Sequence, residues 1–241
     1  MKNLFKIGLV ALIAVLAISG YVAWSGGDGK PSTTVTAPPI DTETTTGAVL
    51  TALLDDDAAP VEAGSVTFEI NSDLSVVTFA LEEDLRGEHT DVTGTTSDVV
   101  GQIAVNFEDP SASEVGSILI NARTFSTDSE FRNRAIRGQI LESVNDEFEF
   151  IAFGPTSIDG LPMEPSDTYT FTVTGDLTIR TITRSVAFDV TIDASLEELI
   201  SGTATAQVLR SDYELTIPSI SSVANVTNEV QLTIEFVAEP V

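Results

Sequence analysis

From Ser65 onward apolar and polar residues alternate with a period of two. Val66, Phe68 and Ile70 alternate with Thr67 and Glu69, and Ile103, Val105 and Phe107 with Ala104 and Asn106. Tyr169, Phe171 and Val173 alternate with threonines. The same rhythm carries Val186, Phe188, Val190 and Ile192, and later Val230, Leu232, Ile234 and Phe236. Successive side chains of a strand point to opposite faces, so the pattern predicts strands with one apolar and one wet face. Further strands are predicted at Leu74–Glu82, Gly116–Arg123, Phe148–Thr156 and Gly202–Arg210. Eight or more such segments, separated by turn signals, predict an all-β antiparallel barrel or sandwich. The outward positions are rich in threonine, which favours strands without adding apolar surface.

One stretch breaks the alternation. Thr127-Asp128-Ser129-Glu130 has the form of a capping box, with Thr127 as N-cap and Glu130 at the third helical position. Phe131, Ala135, Ile136 and Ile140 then recur at helical spacing. One inserted helix is predicted at about Asp128–Glu142, placed to cover the mouth of a barrel.

The chain before Ser65 has a different character. Lys2 and Lys6 precede an uncharged apolar run from Ile7 to Trp24. A basic start followed by such a run is an export signal, and its length is close to the ~20 residues of a membrane span. Tyr21 and Trp24 suit a membrane interface. Residues 1–24 are therefore expected to be a signal peptide or a transmembrane anchor. An uncleaved helix would make the membrane a partner and hold the domain outside the cytoplasm; cleavage would leave the protein periplasmic or extracellular. Residues 25–64, rich in Thr, Pro, Gly and Asp, are expected to form a disordered linker, and residues 65–241 the β-domain.

Composition narrows the chemistry. The chain has no cysteine, which excludes disulfides, thiolate metal sites and a cysteine nucleophile. A net charge of -26 argues against nucleic acid, whose binding needs Lys and Arg to displace counterions. His89 is the single histidine and is expected in a polar loop, Gly87–Asp91, without partners at ligand spacing, so no metal site is expected. No catalytic set stands out, no phosphate-binding glycine loop occurs, and neither catalytic residues nor a cofactor are expected. Eleven of the twelve phenylalanines follow residue 64. A barrel of about eight strands either fills with such side chains or holds one small ligand. Arg123, Arg132, Arg134 and Arg137 cluster around the predicted helix, where they either pair with acids or face a ligand's polar head.

Three stretches resemble the YceI-like family. Ser126 to Arg137 is similar to that family's strand-end Thr followed by an Arg-Asp-x-His-Leu helix. Gly175 to Val186 is similar to its Gly-Asp-Leu-Thr-Ile-x-Gly-Val-Thr-x-Pro-Val strand pair. Arg210-Ser211-Asp212-Tyr213-Glu214-Leu215, with Asn228 to Leu232, is similar to its Arg-x-Asp-Phe-Gly-Leu segment and closing Asp-x-Val-x-Leu strand. Val92-Thr93-Gly94 resembles the early Val-x-Gly turn. Asn133, Ala135, Thr181 and Ser185 stand where the family usually has Asp, His, Gly and Pro. The resemblance implies a lipocalin-like antiparallel barrel of about eight strands with one inserted helix. It also implies an apolar tunnel for an isoprenoid chain, a polyprenyl or quinone-like lipid, bound for sequestration or carriage without catalysis. The ligand-binding residues expected on this basis are Phe79, Val105, Phe107, Ile120, Phe131, Ile136, Phe150, Phe171 and Phe188, with Arg132 and Arg134 near an opening. The alternative is a structural or adhesive surface domain with a filled core.

Overall fold

The alternating segments form strands, and every strand ladder among the described residues is antiparallel. A computed structural model describes residues 29–33, 35–40, 65–196 and 199–241. In chain order the elements are β1 (Ser65–Ile70), β2 (Val76–Leu85), β3 (Glu88–Thr96), β4 (Val99–Val100), β5 (Gln102–Asn106), β6 (Glu114–Val115) and β7 (Ile118–Asn121). A short helix, α1 (Glu130–Ala135), runs straight into a π-helical turn (Ile136–Ile140). Then come β8 (Phe150–Asp159), β9 (Thr168–Ile179), β10 (Ile182–Leu196), β11 (Leu199–Leu209), β12 (Val223–Ala224) and β13 (Glu229–Pro240).

The thirteen strands form one curled sheet, a half-barrel, with the order β4-β7-β8-β9-β10-β11-β13-β1-β5-β6 and with β2, β3 and β12 branching from β13. This corrects the expected closed barrel of about eight strands. The departure has two local causes. β13 is shared: Gln231–Glu235 pair with β2, whereas Ala238–Pro240 pair with β1. The chain turns through Ser72–Leu74 between those partners, so the sheet forks there. β3 and β4 are likewise two halves of one bent run, the first paired with β2 and the second with β7. Across that bend a single bridge, Thr95 to Ser126, replaces a ladder.

The membrane partner is corrected as well. No helix among the described residues is long and apolar enough to cross a membrane. The segment 1–24, on which the anchor and signal readings rested, lies outside those residues.

The sequence-predicted strands coincide with β1, β2, β5, β7, β8, β9, β10, β11 and β13. β3 was not anticipated. It carries Glu-His-Thr-Asp at its start, and its inward positions Val92, Gly94 and Thr96 offer only one apolar side chain. His89 therefore sits on a strand rather than in a loop. β2 and β3 are joined by Arg86-Gly87, both at positive φ (56° and 86°), as a two-residue turn matched to strand twist requires.

The inner face buries Phe68, Phe153, Phe171, Phe188 and Phe236 with Val and Ile from β1, β2, β9, β10 and β11. Phe153 and Phe188 meet edge to face at 5.0 Å. On the outer face of β4, β7 and β8, Val100, Leu119, Phe150 and Ala152 form a second apolar cluster. It is covered by Val35 and Ala37, from the stretch read as linker. The carboxylate of Glu149, fully buried, anchors this strap: it accepts from Ser32 N (2.6 Å) and Ser32 Oγ (2.9 Å), as well as from Arg123 (2.8 Å) and Asn121 (3.0 Å).

Candidate ligand-binding site

Where the inner face is not filled, it encloses a cavity of about 450 Å³. One wall is the inward face of β2, with Phe79, Leu81, Glu83 and Leu85 at successive alternate positions, and Val92 beside them on β3. The floor takes Ile151 from β8, Ile179 from β9, Val208 from β11 and Leu232 from β13. The helix and π turn form a roof through Phe131, Arg132, Ala135, Ile136 and Ile140, and the loop Leu215–Ser222 supplies the remaining side through Leu215, Ile217, Pro218 and Ile220.

The roof is held by polar groups beneath it. The N-cap is Ser129, whose Oγ accepts from Arg132 N, two residues later than the capping box predicted. Thr127 is drawn elsewhere: its N and Oγ1 both donate to Asn133 Oδ1 at 2.7 Å, and Asn133 Nδ2 donates to Glu130 at 3.1 Å. Asn133 is buried, so this network fixes the helix to the strand end before it. The π turn closes through Leu141 N to Ile136 O (2.8 Å), and Ile136 and Leu141 dock in the core. The opposite loop is pinned by Arg210, which donates to the backbone carbonyls of Thr227 (3.0 Å), Leu215 (3.2 Å) and Val226 (3.4 Å).

Five charged residues, Glu83, Arg86, Asp128, Arg132 and Arg210, stand among these apolar walls. Arg132 reaches from the helix to Glu83 Oε1 on β2 at 2.9 Å, and its other amino group pairs with Asp128. Glu83 is 7% exposed. Tyr213, also on the wall, is buried, and burial pushes its hydroxyl up to about 12, with Arg184 pulling it down and Asp212 raising it further, so it stays neutral near pH 7.

Of the residues singled out in the sequence, Phe79, Phe131, Ile136 and Arg132 meet on this cavity. Phe131 is 61% exposed at its rim. Ile120, Phe171 and Phe188 are buried in the packed core, and Val105 and Phe107 lie half-buried against it. Phe150 faces the outer cluster under the strap, and Arg134 is exposed on the helix away from the lining. Arg123 serves structure, paired with Glu149 and Asp146. Sequence reasoning missed Leu81, Glu83, Leu85 and the loop from Leu215 to Ile220. The β2 residues had a legible signal, since the alternation begun at Phe79 continues past Glu82; the loop has none.

Outside the cavity, Glu82, His89 and Asp91 bring their donor atoms within 4.8 Å of one another on the outer face of the β2–β3 hairpin. All three are exposed, and exposed acidic groups of this kind do not by themselves hold an ion.

A curled antiparallel sheet roofed by a short helix, with a largely apolar cavity beneath it, defines the class: a half-barrel built to accept an apolar ligand. The chain belongs to the YceI-like domain family, which residues 48–238 match. Family membership is consistent with a non-enzymatic binding protein and supports an exported one. No curated protein matches the sequence. Among solved structures, BcnA from Burkholderia cenocepacia aligns with a TM-score of 0.55 at 17% identity, over 70% of this chain and 98% of that one. A polyisoprenoid binding domain from Saccharophagus degradans, implicated in plant cell wall breakdown, aligns with a TM-score of 0.57 at 12% identity, over 73% of this chain and 99% of that one. At these identities the likeness is one of fold.

Proposed function

We propose that this protein binds an isoprenoid-type lipid in the cavity under α1 and sequesters or carries it outside the cytoplasm. The observation that carries the reading is the cavity itself: about 450 Å³, walled mainly by aliphatic and aromatic side chains, with the Glu83–Arg132–Asp128 cluster, Arg86 and Arg210 among them. That size falls in the range of small-molecule sites. Transfer of a hydrocarbon chain from water to such walls is favourable by roughly 0.8 kcal/mol per methylene, so a lipid tail needs few polar contacts to bind tightly. The description of the Saccharophagus degradans relative as a polyisoprenoid binding domain points the same way. An unfilled cavity of this size disfavours the alternative of a solid, purely structural surface domain.

The test is native mass spectrometry of the full chain purified without detergent, followed by organic extraction. The expected result is a stoichiometric extra mass recovered as an isoprenoid. A bare protein that also takes up no added prenyl lipid would overturn the reading.

A further inference from the structure

Glu83 occupies an inward position on β2 between Leu81 and Leu85, where the alternation calls for an apolar side chain. It is more than nine-tenths buried and forms part of the cavity wall. Arg132 donates to Oε1, and Oε2 is the oxygen left open to the cavity. An ionised carboxylate oxygen can only accept, so one that opens on the cavity is matched by a donor entering there. Of the three arginines on the cavity, two are already committed, and the third, Arg86, is exposed at the rim. Arg132 is shared between Glu83 and Asp128, and Arg210 is spent on three backbone carbonyls. An anionic head entering beside Glu83 would meet two carboxylates around one guanidinium and would have to break a partly buried ion pair to gain a partner.

We infer that the polar end of the ligand is an uncharged hydrogen-bond donor, an alcohol in the first instance, held by Glu83 Oε2, and that the site discriminates against the corresponding phosphate. The inference rests on the reading of the cavity as a lipid site and adds the class of head group. Glu83 is the specificity-determining residue, and Arg132 positions it.

The experiment uses the full chain and four probes on one skeleton: geranylgeraniol, its methyl ether, its phosphate, and the parent hydrocarbon without oxygen. Affinities are measured by competition against a fluorescent fatty probe. A hydrogen bond to a charged acceptor predicts the alcohol to bind about tenfold or more tightly than the ether, which has the same bulk and cannot donate. The phosphate is expected to bind more weakly than the alcohol by a similar or larger factor. Replacing the pair together, Glu83→Met with Arg132→Met, removes the charges without leaving either one alone, and is expected to bring alcohol and ether to equal affinity while the hydrocarbon still binds. Equal binding of alcohol and ether by the wild-type protein would overturn the inference. So would a preference that survives in the double variant, or a phosphate bound as tightly as the alcohol through Arg86 at the rim. If none of the four probes binds, hydrocarbon included, it is the cavity reading that fails, and the two failures are distinct.

Discussion

Phe79 shows how one residue shapes the site. It lies directly opposite Gly94 in the β2–β3 ladder, and its ring covers that glycine: a Cβ there would fall 2.2 Å from the ring's Cε1 and 2.3 Å from Cζ. The folded-over ring meets Phe125 edge to face at 5.4 Å and borders the cavity. Gly94→Ala forces the ring off its seat. We expect a loss of about 1–3 kcal/mol in stability, the usual cost of overpacking, together with a weaker grip on prenyl probes. Urea denaturation and probe titration check both; an unchanged midpoint would mean that the ring has another low-energy place to go. The same scale shows what was legible. Phe131, Ala135, Ile136 and Ile140 stand out from helical spacing, and the structure puts all four on the cavity. Phe171 and Phe188 are just as apolar and just as inward, yet they pack in the core. Alternation reports which face a side chain takes, and both the filled and the hollow part of the interior lie on that face.

At the scale of elements, the roof is the part that decides access. α1 is six residues long, too short to be stable by helix propensity, so its position depends on what ties it down. Asn133 is the tie, with its side chain bonded to Thr127 and Glu130. Asn133→Ala leaves the half-buried Thr127 groups without their acceptor, at an expected cost of about 1–3 kcal/mol. The loss is expected to be local: hydrogen exchange accelerates across residues 128–141 and bound lipid dissociates faster. Exchange that rises evenly over the whole sheet would show that the roof is not a separately held unit. The sequence located this helix because its spacing differs from everything around it. It placed the cap two residues early because Thr127 and Ser129 offer the same hydroxyl, and only the approach of Asn133 determines which of them is free to cap.

At the scale of the molecule, the strap joins the segment upstream of the β-domain to its outer face. Val35 and Ala37 cover Val100, Leu119, Phe150 and Ala152, and Ser32 meets the buried Glu149. This accounts for the burial of all four residues of β7, which has the core on one side and the strap on the other. Ala37→Asp would bury an unpaired carboxylate in that cluster. We expect residues 29–40 to become sensitive to limited proteolysis and the melting temperature to fall, with prenyl binding retained because the cavity lies on the opposite face of the sheet. A strap that stays protected in this variant would contradict its apolar seating. The strap was not legible, because a stretch of Thr, Pro and Ser has no periodicity, and its partners lie more than 60 residues away along the chain.

The amino-acid sequence by itself determined that this is a β-protein with one inserted helix, and that it carries the residue patterns of the YceI-like family. Those properties follow from local periodicity and from short motifs, which each stretch of chain carries independently of the others. Only the tertiary structure decided that the sheet forks at β13 and stays a half-barrel, that β3 forms at all, and that the hollow lies under the helix rather than along the phenylalanine-rich strands. Each of these depends on which distant segment supplies the missing partner: β2 and β1 compete for one edge, a polar β3 is held by its neighbour β2, and Glu83 becomes a cavity group only when Arg132 arrives from 49 residues further along the chain.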